Sequence, residues 1–255
     1  MILPPEILEK ILEHIPANHG GRRTLVACAL VATWWTGSSQ RRLFSSVTVR
    51  DVNYERWMSG VVLSRSKAHL LEYVRSLWHC RSLDIRNESQ MRSLMQNSGE
   101  YLSALRHLRD LALHDTRIEY VGEKGNRICF SAFRETLTNL SLDTVTTSFG
   151  AFVALVDSFP NITSLQLRSF VLEPDGGPIP PLSRPLRGRV RVHHVRPHCL
   201  DFFNRFAELD LEYEELVVGS SSLFSSAKIE FLERALQMCP STVKFLRLSI
   251  ELHCE

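Results

Sequence analysis

One phrase recurs along the second half of the chain and constrains its fold more than any other feature: an apolar residue, two others, then Leu-x-Leu. It reads Leu105-x-x-Leu108-x-x-Leu111-x-Leu113, Leu137-x-x-Leu140-x-Leu142, Ile162-x-x-Leu165-x-Leu167, Phe206-x-x-Leu209-x-Leu211 and Val243-x-x-Leu246-x-Leu248. The alternating end of the phrase predicts a short strand with one buried side. From one pair to the next, the first Leu of Leu-x-Leu advances from 111 to 140, 165, 209 and 246. An alternating segment at Arg189-Val190-Arg191-Val192 predicts one more strand inside the long step from 165 to 209. Between the strands, Phe149 to Phe159, Leu200 to Phe206 and Ile229 to Leu236 carry apolar residues at helical spacing. Short strands alternating with helices imply a parallel sheet lined on one side by helices, an α/β chain. The 36 leucines among 255 residues are what a core of this kind consumes.

The first 46 residues follow a different pattern. Pro4 and Pro5 suit the first turn of a helix, where a missing N–H costs nothing. Ile7, Leu8, Ile11, Leu12 and Ile15 then mark one apolar side, with Glu6, Glu9, Lys10 and Glu13 on the other. Pro16 and Asn18-His19-Gly20-Gly21 predict a stop, followed by a second helix from about Arg23 to Val31 and an apolar knot at Trp34-Trp35 and Leu43-Phe44. Three short helices bury little surface, so the unit is expected to lean on the rest of the chain or on a partner.

These residues resemble an F-box. Leu3-Pro4-Pro5-Glu6-Ile7-Leu8 leading into Ile11-Leu12, then Leu25 to Val31, Trp35, and Arg41-Arg42-Leu43-Phe44 match that family's pieces in order and spacing. Trp34 departs from the pattern, which usually has a small or polar residue there. The resemblance implies docking onto a Skp-type adaptor and, through it, a cullin-RING ubiquitin ligase. It also implies that Leu3, Pro4, Ile7, Leu8, Ile11, Leu12, Leu30, Val31 and Trp35 face the adaptor or shape the docking unit. With the leucine phrases behind it and the Pro-rich segment Glu173 to Pro181, the arrangement is similar to the expanded F-box families of mushroom-forming fungi.

The expected organisation is an all-helical F-box head over 1–46, a linking helical region over 47–104, and an irregular leucine-rich-repeat solenoid over 105–255. In the linking region, Trp57 to Leu77 looks helical, and Val74 to Trp78 or Ser82 to Ile85 could form a degenerate strand. Regular repeats carry Asn three positions past the second strand Leu. Here Thr116, Val145, Phe170, Glu214 and Glu251 stand instead, so no Asn ladder is expected. By geometry, outward strand positions available to a target are His114, Asp143, Gln166, Arg168, Arg191, Asp210, Glu212 and Arg247.

Charge separates the possible functions further. Lys+Arg 30 against Asp+Glu 28 gives a net charge of +2, too weak a field to hold a polyanion or an acidic membrane by charge alone. Arg187, Arg189, Arg191 and His193 share one strand face, and Glu208, Asp210, Glu212 and Glu214 share another. Neighbouring strands would neutralise each other, which is favoured over phosphate capture. No nucleic-acid or membrane partner is expected. His194-x-x-x-His198 beside Cys199 has no second ligand pair, so no metal site and no cofactor are expected. The six cysteines form no C-x-x-C pair, and no signal peptide or membrane span is readable, so a cytoplasmic or nuclear placement is expected. No Walker A, Rossmann, G-x-S-x-G or H-E-x-x-H motif occurs, and the chain is not expected to be an enzyme. A repeat-bearing interaction or scaffold protein without ligase attachment is the alternative.

Overall fold

The computed structural model describes residues 4–16, 19–31, 33–50, 53, 56–62, 64, 66–80, 84–85, 105–115, 117–118, 131–173, 181–193, 205–206, 208–209, 211–220 and 242–250.

Three helices open the chain: α1 (Pro5–Glu13), α2 (His19–Val31) and α3 (Thr33–Phe44). Glu6 in the first turn of α1 and Lys10 in its last both oppose the helix dipole. Leu8 and Leu12 turn inward and form a small core with Leu25, against which Ile15, Cys28, Trp35 and Leu43 pack. At roughly 1.5–3 kcal/mol per buried Leu, this core stabilises the unit only modestly. Polar ties add to it: Arg41 Nη1 donates to Glu9 Oε1 at 2.6 Å, and Thr36 Oγ1 donates to the Ala29 carbonyl at 2.9 Å. The second helix starts at His19 rather than near Arg23. Its glycines belong to the first turn, because a Cβ on Gly21 would lie 1.8 Å from the Pro16 carbonyl oxygen. Only a residue without a side chain lets the two backbones meet there.

The third helix runs almost directly into strand β1 (Ser46–Arg50), so the head is joined to a sheet without a linker. Further strands are β2 (Ser76–Cys80), β3 (Asp84–Ile85), β4 (Asp110–His114), β5 (Arg117–Ile118), β6 (Asn139–Asp143), β7 (Thr146–Ser148), β8 (Ser164–Arg168), β9 (Val171–Glu173), β10 (Leu186–His193), β11 (Leu211–Ser220) and β12 (Phe245–Ile250). The fold is mixed α/β with a parallel eight-stranded sheet in the order β1-β2-β4-β6-β8-β10-β11-β12. Across its register, Val47, Leu77, Leu111, Leu140, Leu165, Val190, Leu216 and Leu246 form one inward row. All but Leu246 are buried there.

Two expectations are corrected by this row. The sheet begins at Ser46, ahead of the strand expected at Val74 to Trp78, which is β2, because Val47-x-Val49 serves where Leu-x-Leu was sought. Leu209-x-Leu211 is not the strand pair of its segment; that role falls to Leu216-x-Val218, with fully buried Tyr213 as the apolar residue three positions ahead. With Leu216 in place, the row advances from 165 to 190 to 216 to 246, and the uneven steps become similar.

A second parallel sheet, β3-β5-β7-β9, lies beyond the strand ends. The chain turns into it through Asp115, Thr144 and Ser169, all with positive φ (55°, 56° and 48°). Each donates its N–H to the last residue of the next main-sheet strand: Asp115 to Asp143 at 3.0 Å, Thr144 to Arg168 at 2.8 Å, Ser169 to His193 at 3.1 Å. The position expected to lack Asn is filled by packing instead, since Val145 and Phe170 are buried.

Opposite the sheet, α4 (Phe149–Asp157) is capped by Ser148, whose Oγ accepts from the Ala151 N–H at 3.1 Å. Phe152 packs edge-on against Phe170, and Phe133 stacks on Phe159. Between Trp57 and Leu77 there is no continuous helix but a π turn (Met58–Val62) and a 3-10 turn (Ala68–Tyr73) before β2. Within the expected helix Leu200 to Phe206, only Arg205 and Phe206 are described; Ile229 to Leu236 and the Pro-rich stretch 174–180 lie outside the described residues. Among the described residues no helix is long and apolar enough to cross a membrane.

Candidate functional site

The head divides its apolar residues between two roles. Leu8 and Leu12 are buried in its own core, and Trp35 packs on that core. Ile7, Ile11, Val26, Leu30, Val31 and Trp34 are exposed, Leu30 and Val31 at 82% and 78%. Of the residues expected to meet an adaptor, Ile7, Ile11, Leu30 and Val31 are therefore available, together with exposed Pro4. Leu8, Leu12 and Trp35 shape the unit from within, and Leu3 lies outside the described residues. Periodicity alone marks an apolar stripe without saying which edge is covered, so Val26 and Trp34 were missed as outward residues. Trp34 stands edge-on to Trp35 at 5.5 Å.

A second surface is the outer face of the eight-stranded sheet, whose residues fall into rows. Asp110, Asn139, Ser164, Arg189, Glu215 and Phe245 form the first; Trp78, Ala112, Ser141, Gln166, Arg191, Val217 and Arg247 the second; His114, Asp143, Arg168 and His193 the third. The expected target-facing residues His114, Asp143, Gln166, Arg168, Arg191 and Arg247 are brought together on this face. Glu212 lies at the start of β11 beside Arg187, and Asp210 lies outside the described residues.

Neutralisation between β10 and β11 occurs, with a changed register. Arg187 pairs with Glu212 at 2.8 Å, but a bulge between Gly188 and Arg189 makes Glu215 the partner of Arg189. Glu214, skipped by the bulge, pairs with Lys244 of the adjoining segment at 2.8 Å, and Glu208 sits exposed in the turn before the strand. Gly188 has φ 88°, and a Cβ there would lie 2.2 Å from the Thr163 carbonyl oxygen. The bulge opens a groove of about 410 Å³ between Asn139, Ser164, Arg189, Glu215 and Phe245.

Elsewhere, His114 Nε2 stands 3.8 Å from Asp143 Oδ2. Burial, followed by the neighbouring guanidinium groups of Arg109 and Arg41, pushes the Arg75 guanidinium below its usual range. Its Nη1 donates to the Glu72 carbonyl at 2.6 Å and so closes the preceding 3-10 turn. Among the described residues no three His, Cys, Asp or Glu side chains gather as metal ligands; His194, His198 and Cys199 lie outside them. The chain matches no family model and no curated protein.

Proposed function

We propose that this chain is the substrate-recognition subunit of a cullin-RING ubiquitin ligase. Its F-box head docks a Skp-type adaptor, and an irregular leucine-rich-repeat solenoid holds a target protein. The observation that carries this reading is the division of apolar residues in the head. Leu8, Leu12 and Leu25 suffice for its own core, while six large apolar side chains on the same three helices stay in water. Covering them at roughly 1.5–3 kcal/mol for each fully exposed residue yields on the order of 10 kcal/mol before the cost of association is subtracted. A surface of this kind calls for a partner, and the motif pieces from Leu3 to Phe44 name its class. Catalysis belongs to the complex, to which this chain contributes proximity.

The test is capture of purified Skp-type adaptor by the full chain. Co-expression with the adaptor should raise the yield of soluble native protein. Ile11→Asp with Leu30→Asp should abolish capture while leaving the helical circular dichroism intact. An intact chain that captures no adaptor sinks the proposal and leaves the scaffold alternative.

A further inference from the structure

Among the described residues three arginines of the outer face, Arg168, Arg191 and Arg247, stand outside every ion pair, although the register sets Asp143 beside Arg168. Arg187 and Arg189 are neutralised by Glu212 and Glu215, and Lys244 by Glu214. The next outward residue of β11 is Val217, which stands beside Arg191 on one side and Arg247 on the other. On β8, Gln166 adjoins Arg191, and Arg168 adjoins His193. With strands ~4.8 Å apart and ~6.6 Å between alternate residues, Arg191 lies about 8 Å from Arg168 and about 10 Å from Arg247, Cα to Cα. Phe245, two residues ahead of Arg247 and 69% exposed, borders the groove of about 410 Å³.

We propose that this corner of the sheet binds an extended peptide segment rich in Asp and Glu. Its carboxylates meet Arg168, Arg191 and Arg247, and an apolar residue rests on Phe245. Guanidinium forks match carboxylates two bonds at a time. Buried Val217 gives Arg191 and Arg247 an apolar floor, which strengthens each pairing over one fully in water. The charges bordering the patch choose the occupant. Asp143 adjoins Arg168, and Glu212, Glu214 and Glu215 cancel the neighbouring cations, so the face offers three separate positive points rather than the continuous basic strip a polyanion needs, whereas a peptide can place single carboxylates against them.

This inference takes the target-binding face of the ligase reading as its premise, but it is measured without adaptor, so the two can fail separately. The probe is a fluorescein-labelled peptide of about fourteen residues with Glu clusters around one Phe, followed by anisotropy against the full chain. A Lys-for-Glu version, a single-stranded oligonucleotide and anionic vesicles serve as comparisons. The Glu peptide should bind, the Lys peptide should not, and Arg168→Ala with Arg191→Ala should weaken binding at least about tenfold. Arg187→Ala, which removes an already paired charge, should change it less than about twofold. Arg168→Glu with Arg191→Glu should transfer preference to the Lys peptide, a gain that a merely misfolded variant cannot show. Equal binding of the two peptides, undiminished binding by the double variants, or preference for the oligonucleotide or vesicles overturns the proposal. Peptide binding without adaptor capture overturns only the ligase reading.

Discussion

Arg187 donates from Nε to Glu212 Oε2 at 2.8 Å, closing the first charged rung between β10 and β11 before the bulge changes the register. Both side chains are substantially exposed, as is that of Arg189, while Glu215 is partly buried, so the rungs contribute little individually. Glu212→Gln with Glu215→Gln should cost about 0.5–2 kcal/mol in urea unfolding at low ionic strength, and most of that should vanish in 1 M salt. Glu208→Gln should leave the midpoint where it is. A double variant that unfolds with the native protein in low salt would show that the rungs add nothing.

Leu8→Ala or Leu12→Ala should destabilise the head by about 2–5 kcal/mol, because each empties part of a core that holds few other side chains. Ile11→Ala, on the exposed side of α1, should cost less than about 1 kcal/mol. Unfolding followed by helical circular dichroism separates them. Equal losses at Leu8 and Ile11 would contradict the assigned inside and outside.

Gly188→Ala should cost more than about 2 kcal/mol, since the new methyl meets the Thr163 carbonyl and the backbone stays left-handed. Relief by register slippage would remove the bulge, and the Arg189–Glu215 pair with it. A thermal midpoint within a degree of the native one would refute this.

Thr144→Asn should stabilise by about 0.5–1 kcal/mol. A β-branched residue at φ 56° is strained, whereas Asn adopts that region readily. The hydroxyl lost makes only a 3.2 Å contact with Asp143 Oδ1 at the surface. A lowered midpoint would mean that the hydroxyl outweighs the strain.

Much of the main sheet was legible because Leu140-x-Leu142 and Leu165-x-Leu167 alternate buried and outward residues, the period that a half-buried strand imposes. Misreading arose where another residue filled the same volume. Val47 and Val49 do a leucine's work in β1, and Tyr213 leads the β11 phrase, while Leu209 and Leu211 imitate it seven residues too early. Beyond Ser82 to Ile85, which contains β3, the second sheet was invisible because strands of two or three residues carry no period. The left-handed turns were equally hidden, since Asp115, Thr144 and Ser169 stand where a glycine would have announced them. At the outer face, alternation placed Arg168, Arg191 and Arg247 correctly. Which charges remained unpaired depended on a one-residue bulge that no spacing rule foretells.

The amides of Asp115, Thr144 and Ser169 give the molecule a direction. Each is satisfied by the strand that follows it in the chain, never by the one before. During synthesis, a turn that has already emerged must therefore keep its donor in water until the next segment arrives. Closure travels from the N-terminal end toward the C-terminal end, and shortening the chain just after Asp115, Thr144 or Ser169 would leave the exposed end with a donor and no acceptor.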